Sequence, residues 1–232
     1  MIDCKTFTSA IDNNQMFKKI SVQEKDDFVF ANLHVQGDVL VCGAALRINK
    51  IIDIRMPNDF PRRLPIIKES KKTMSSDFGH INLNGTLCLG TETELRIKFA
   101  SGNGVACFLN IVIDYLAQYD YWHTYHRFAF KTRAHGGAGK FEAYQQLFAL
   151  SDIEAIGRLI RAVPVSRNDK TRACPCESGH FFGHCHYSVL KELGQIDGEI
   201  SQVRQDWKEI CEWKQEMRKL IISGKSRMNM MP

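Results

Sequence analysis

The chain has 232 residues, 44% of them apolar and 25% charged, with a formal net charge of +5. That balance fits a globular protein of one medium domain with an appendage, or two small domains. No apolar run approaches the roughly 20 residues of a membrane span, and no dense Lys/Arg run points to nucleic acid as a partner.

The first residues, Met1-Ile2-Asp3-Cys4-Lys5, lack a basic start followed by an apolar stretch, so no signal peptide is expected and the cytoplasm is the expected location. In a reducing compartment the eight cysteines are expected as buried thiols, metal ligands or nucleophiles, not as a disulfide framework.

Residues 1–26 are polar with an amphipathic set (Phe7, Ile11, Met16, Phe17, Ile20), which predicts a short helix. Residues 28–36 alternate (Phe28, Phe30, Leu33, Val35) and stop at Gly37-Asp38, a turn pair. Residues 39–48 and 50–56 predict two more strands, so the group reads as an antiparallel meander. Residues 57–79 carry Pro57, Pro61 and Pro65 and predict an ordered loop, not a helix or central strand.

The loop delivers the chain to His80-Ile81-Asn82-Leu83-Asn84-Gly85-Thr86-Leu87-Cys88-Leu89-Gly90. A thiol here follows an Asn amide by six residues, with a Gly-containing turn between them. A thiolate with an oxyanion donor at hand is the minimum apparatus of an acyl carrier. The bland reading makes Cys88 a buried thiol and Asn82 a cap for the Asn84-Gly85 turn.

Residues 104–118 predict a buried amphipathic helix (Val105, Phe108, Leu109, Val112, Ile113, Leu116), capped by Asn103. Residues 119–130 are rich in aromatics, and His123 and His126 read as part of a packed cluster. Residues 135–139 predict a flexible turn, and residues 140–150 a helix that closes the first domain. Residues 151–170 predict a short helix (Ile153, Ile156, Leu159, Ile160) and a polar connector. Cys42 and Cys107 read as buried thiols inside apolar patterns, and Cys4 and Cys211 as incidental.

Cys174-Pro175-Cys176 and Cys185-His186, separated by eight residues, place four soft ligands within thirteen positions. That set can close a tetrahedral zinc shell with no position left for water, so a structural ion is expected. His180 and His184 read as surface residues. Residues 188–232 predict an amphipathic helix of about 25 residues and a frayed tail from Ser223. Its stripe (Val203, Trp207, Ile210) either packs within the molecule, the default, or meets a partner.

The order of strands, Pro-rich loop, His-x-Asn and Cys resembles the ubiquitin-conjugating enzymes over about residues 1–150. His80-Ile81-Asn82 stands where that family has His-Pro-Asn, and Cys88 where it has its active cysteine. Leu89-Gly90 replaces the family's Leu-Asp. The resemblance implies an α+β fold, a four-strand antiparallel meander with flanking helices. It also implies a thioester on Cys88, an oxyanion donor in Asn82, a loop-holding His80, and an activating enzyme with a ubiquitin-like modifier or acyl donor protein as partners. The stretch from His135 to Tyr144 resembles a bacterial branch of that family found in antiphage operons beside cGAS-like nucleotidyltransferases. That resemblance implies such an enzyme as the target of conjugation, and His135 as a base or orienting group. The Cys-Pro-Cys-x-Ser-Gly…Cys-His wording of residues 174–186 is similar to the SEC-C zinc motif. Two rivals stand beside the enzyme: the same fold as an inactive binding module, and an adaptor that docks through its zinc knot.

Overall fold

The computed structural model describes residues 1–100, 104–196 and 198–222. Asn103 and the tail from Ser223 lie outside the described residues. The chain divides into two compact units, Met1–Thr132 and a second that begins at Arg133.

The first unit is α+β. Helix α1 (Cys4–Asp12) is capped by Asp3, whose carboxylate accepts the Thr6 N–H at 2.7 Å, and it buries Phe7 and Ile11. Strands β1 (Phe17–Lys25), β2 (Phe28–Val41), β3 (Ala44–Pro57) and β4 (Ile66–Glu69) follow in an antiparallel sheet of order β1-β2-β3-β4. The meander has longer strands than the sequence pattern predicts. Gly37 and Asp38 do not turn the chain; they lie mid-strand opposite Ile48 and Arg47. A Cβ on Gly37 would come within 3.1 Å of Met16 Cε, so this glycine serves a close approach. The β2–β3 turn is instead Cys42-Gly43, both at positive φ (47° and 80°), the backbone a two-residue hairpin requires. Cys42 is therefore exposed at a turn, not buried in a strand.

Period-two alternation selects the inner face of β2 as Val29, Ala31, Leu33 and Val35. Phe28 and Phe30 point the other way, where the Arg55 guanidinium lies 3.7 Å and 5.9 Å from their ring centres. Against the inner face packs α3 (Gly104–Tyr125), which buries Phe108, Leu109, Val112 and Leu116. It runs beyond the predicted 118 because Tyr119 and Tyr121 continue the buried stripe. A short helix absent from the sequence reading, α2 (Glu92–Ala100), precedes it. Its signal is the Thr91-x-x-Glu94 pattern at the helix start: the Thr91 hydroxyl accepts the Glu94 N–H at 3.4 Å and donates to Glu94 Oε2 at 2.8 Å. Residues 57–79 are not wholly loop, since β4 forms the edge of the sheet. Its inward Glu69 accepts the N–H groups of Thr73 and Met74 at 2.6 and 2.7 Å, tying down the loop that follows.

The second unit is helical. It holds α4 (Gly136–Phe148), α5 (Ile153–Arg161), a cysteine knot, α6 (Tyr187–Gln195) and α7 (Glu199–Ile222). The division falls at Thr132, not at residue 150, because α4 packs on α7. Residues 136–139 form the first turn of α4, not a flexible turn. Gly137 lies so close to α7 that a Cβ would meet Glu209 O at 2.4 Å. Inside this contact Tyr144 donates to the buried Asp206 at 3.1 Å, and Lys140 Nζ lies 2.8 Å from both Asp206 and Glu209. The α7 stripe thus packs within its own unit: Trp207 covers Gly157 of α5, and Trp213 stacks near Phe141 of α4. Among the described residues no helix is long and apolar enough to cross a membrane.

Candidate functional site

Cys88 closes a narrow hairpin. The Gly85 N–H donates to Asn82 O at 2.8 Å, the Asn82 N–H to Thr86 O at 2.8 Å, and the Cys88 N–H to His80 O at 2.9 Å. Gly85 sits at φ 79°, which a non-glycine residue adopts only under strain. Asn84 reinforces the turn by accepting both the Thr86 N–H (3.0 Å) and the Thr86 hydroxyl (2.7 Å). The hairpin is stitched to the sheet edge, because the Leu87 N–H donates to Ile67 O of β4 at 2.9 Å. Leu83 stands fully exposed at its tip.

His80 and Cys88 share an anchor in α3. The Tyr115 hydroxyl donates to His80 O at 2.7 Å, the same carbonyl that accepts the Cys88 N–H. Burial, with the Cys88 sulfur nearby, pushes the Tyr115 hydroxyl far up, so it remains a donor throughout the physiological range. The His80 ring packs edge-on against Phe78 (5.5 Å) and Phe128 (5.7 Å). Phe78 is itself buried among Tyr115, Tyr119 and Trp122. This cluster packs the loop against α3 and accounts for the aromatic run of residues 119–130, where His123 stacks on Tyr119.

The Cys88 thiol is half-buried. Burial pushes its pKa up, and a hydrogen bond with the Gly90 backbone offsets only part of that. At neutral pH the resting group is therefore a thiol, not a preformed thiolate. Asn82 is close in sequence, but its side-chain amide is occupied: Nδ2 donates to the Thr86 hydroxyl at 2.9 Å across the hairpin. His135 belongs to the second unit, where it is the exposed N-cap residue of α4. Sequence reasoning missed Tyr115, which carried only the look of a core aromatic in a buried helix.

The cysteine knot is the second site. Ala173 pairs with Phe181, and the Cys174 N–H donates to His180 O at 2.9 Å, so the chain doubles back over Glu177 and Gly179, both at positive φ. This fold brings Cys174, Cys176, Cys185 and His186 together, with their ligand atoms all within 4.8 Å of one another. Cys174 Sγ lies 3.4 Å from His186 Nδ1, Cys185 Sγ lies 3.0 Å from the same nitrogen, and Cys176 Sγ lies 3.6 Å from Cys185 Sγ. These residues can hold a metal ion. Fit is also tested by the outer contact: His186 Nε2 lies 2.9 Å from Phe148 O, at the end of α4. A carbonyl only accepts, so Nε2 carries the proton and Nδ1 presents its lone pair to the sulfurs. Burial pushes the Cys174 thiol up to about 12. Burial acts on Cys176 in the same direction, yet hydrogen bonding with Ser178 and its neighbouring thiols draws it down to about 6. One sulfur thus already favours the charged form a cation needs. Arg158 of α5 braces the knot, donating to Pro175 O at 2.8 Å and pairing with Glu177 at 2.9 Å. His180 and His184 are exposed and outside the cluster.

Comparison against known protein families, curated proteins and solved structures finds no match for this chain. The functional reading therefore stands on these residues and their geometry.

Proposed function

We propose that the first unit carries a ubiquitin-like modifier, or another acyl group, as a thioester on Cys88 and hands it to an amine. The observation that carries this reading is the setting of the thiol. A half-buried cysteine terminates a hydrogen-bonded hairpin beyond the edge of a four-strand meander, clamped through His80 O by the hydroxyl of a buried tyrosine. In the reaction Cys88 attacks a donor thioester on an activating-type enzyme, and its proton passes through solvent to the departing donor sulfur. The new S–C bond forms as the donor sulfur leaves as thiolate, so the exchange is near balance. An acceptor amine, of the lysine type, then attacks the same carbonyl; the N–C bond forms, Cys88 leaves as thiolate, and the amine gives its proton to a base. Asn82 supplies an oxyanion donor by trading its Thr86 bond, and His80 holds the loop. The bacterial antiphage resemblance makes a cGAS-like nucleotidyltransferase the acceptor, in the reducing cytoplasm.

The second unit holds Zn2+ through Cys174, Cys176, Cys185 and His186. All four ligands come from protein, so the ion is structural and supplies folding energy to a loop with little core of its own.

One specific pair of observations favours a second reading, an inactive binding module of the same fold: the protonated thiol and the engaged Asn82 amide. Intact-protein mass after incubation with activating enzyme, ATP and modifier separates the two. A Cys88-linked adduct released by thiol reductant, and missing in Cys88→Ala, supports the enzyme. Modifier binding without an adduct supports the module.

A further inference from the structure

We infer that the His80 ring takes the Cys88 proton as the sulfur attacks, so that imidazole and thiol act as one nucleophilic pair. The inference rests on the thioester reading of Cys88 and adds the group that makes the thiol reactive. The His80 carbonyl holds the loop; its ring serves the chemistry.

Register brings the two side chains together. Ile81 pairs with Leu87 in an antiparallel bridge, which sets His80 directly opposite Cys88 and Asn82 opposite Thr86. The Cys88 N–H to His80 O bond (2.9 Å) and the Asn82 N–H to Thr86 O bond (2.8 Å) keep that register. Residues opposite each other in an antiparallel pair point to the same face, with Cβ atoms about 4.5–5.5 Å apart. Alternation buries Leu87 on one face and leaves His80 and Cys88, both half-buried, on the other. A His80 ring nitrogen accordingly lies within 4.8 Å of Cys88 Sγ.

The ring is also oriented. It meets Phe78 and Phe128 edge-on, with interplanar angles of 68° and 82°. Its backbone is fixed by the Tyr115 hydroxyl, which donates to His80 O at 2.7 Å. A nucleophile, a base within reach and a third element that orients the base are the signature of an activated thiol.

Chemistry selects the imidazole among the side chains of the hairpin and its anchor. Burial keeps the sulfur protonated at neutral pH, so attack needs an acceptor for that proton. Asn82 offers an amide, Thr86 an alcohol, and Tyr115 a hydroxyl that burial keeps protonated; none takes a proton near neutrality. A neutral imidazole does. In the step, the S–H proton passes to the ring nitrogen as the S–C bond forms at the donor carbonyl. The carbonyl electron pair moves onto oxygen and returns as the donor sulfur leaves as thiolate. The imidazolium gives its proton to solvent, from which the donor sulfur is protonated. Because His80 is only half-buried, that route is open.

Acetylation of the full chain by a small thioester, S-acetyl-N-acetylcysteamine, tests this at neutral pH without an activating enzyme. The rate is read peptide by peptide by mass spectrometry, and Cys42, exposed at its turn, serves as the reference thiol. We expect an acetyl group on Cys88 whose formation His80→Gln slows by about tenfold or more, as for loss of a general base. Cys42 should react at an unchanged rate in that variant. Added imidazole should restore most of the lost rate in His80→Ala and scarcely change the rate of the parent chain, which a merely structural His80 would not do. Circular dichroism of both variants reports the fold, and rescue by imidazole occurs only in a chain that keeps it. Equal Cys88 rates in His80→Gln and the parent overturn the proposal, as does a loss that imidazole does not restore. A loss confined to His135→Gln overturns it too. Each of these outcomes leaves an acylated Cys88, and with it the carrier reading, standing. No adduct on Cys88 of the parent chain while Cys42 reacts overturns the pair as well; the carrier reading is then decided separately, by loading with activating enzyme and modifier.

Discussion

At the scale of single residues, the Cys88 hairpin makes two separable statements. Burial raises the thiol pKa, so the native state favours the protonated sulfur. That preference contributes stability at neutral pH and is lost as pH rises through the raised value. Alkylation of Cys88 by iodoacetamide, followed by peptide mass, should therefore climb only at higher pH than for the same peptide in the unfolded chain. A profile already complete below pH 8 would overturn it. Cys88→Ala should leave the thermal midpoint within a few degrees of the parent and abolish thioester loading. For Asn82, the bond to Thr86 sets the expectation. Asn82→Ala and Thr86→Val should each destabilise the first unit by about 0.5–1.5 kcal/mol. Together they should cost less than their sum, because the same bond is removed once. Strict additivity in urea melts would show that the amide spends its time elsewhere, free for an oxyanion.

At the scale of elements, the helices of the second unit meet through glycines, and this reverses the usual propensity argument. In α5, Gly157 faces Trp207 of α7 so closely that a Cβ would lie 2.3 Å from the indole ring. Alanine in a helix interior normally gains about 1 kcal/mol over glycine. Overpacking a fitted interface typically costs about 1–3 kcal/mol. The steric term wins, so Gly157→Ala should lower stability, read as a drop in the urea midpoint. The same substitution in a Trp207→Leu background should be neutral or stabilising. A stabilising effect in both backgrounds would mean the two helices are not packed this closely.

At the scale of the whole molecule, legibility follows the range of the interaction. The meander and the buried helix were readable because alternation and 3.6-residue periodicity are local signals. The strand ends were not, because Gly37 looks like a turn until Met16, far along the chain, is known to cover it. Cys174, Cys176, Cys185 and His186 were legible because their spacing is short. The proton on His186 was not, since its partner Phe148 lies 38 residues away. The unit boundary was missed for the same reason: α4 belongs with α7 through Lys140, Tyr144 and Asp206, a long-range network that leaves no local trace. This organisation gives the last prediction. The knot joins the end of α4 through His186, and α5 through Arg158, to the start of α6. Removing a bound ion with a chelator, or one ligand with Cys174→Ser, should therefore loosen these helices together. The core of the first unit consists entirely of residues before Arg133 and needs none of the four ligands. Hydrogen exchange should accelerate by about tenfold or more through residues 148–195, as expected when structural metal energy is lost. Amides of β2 and β3 should keep their protection. Acid should act as the chelator does, because protons compete for sulfur and imidazole. Uniform deprotection of both units would show that they unfold as one, and an unchanged second unit would show that no metal holds the knot.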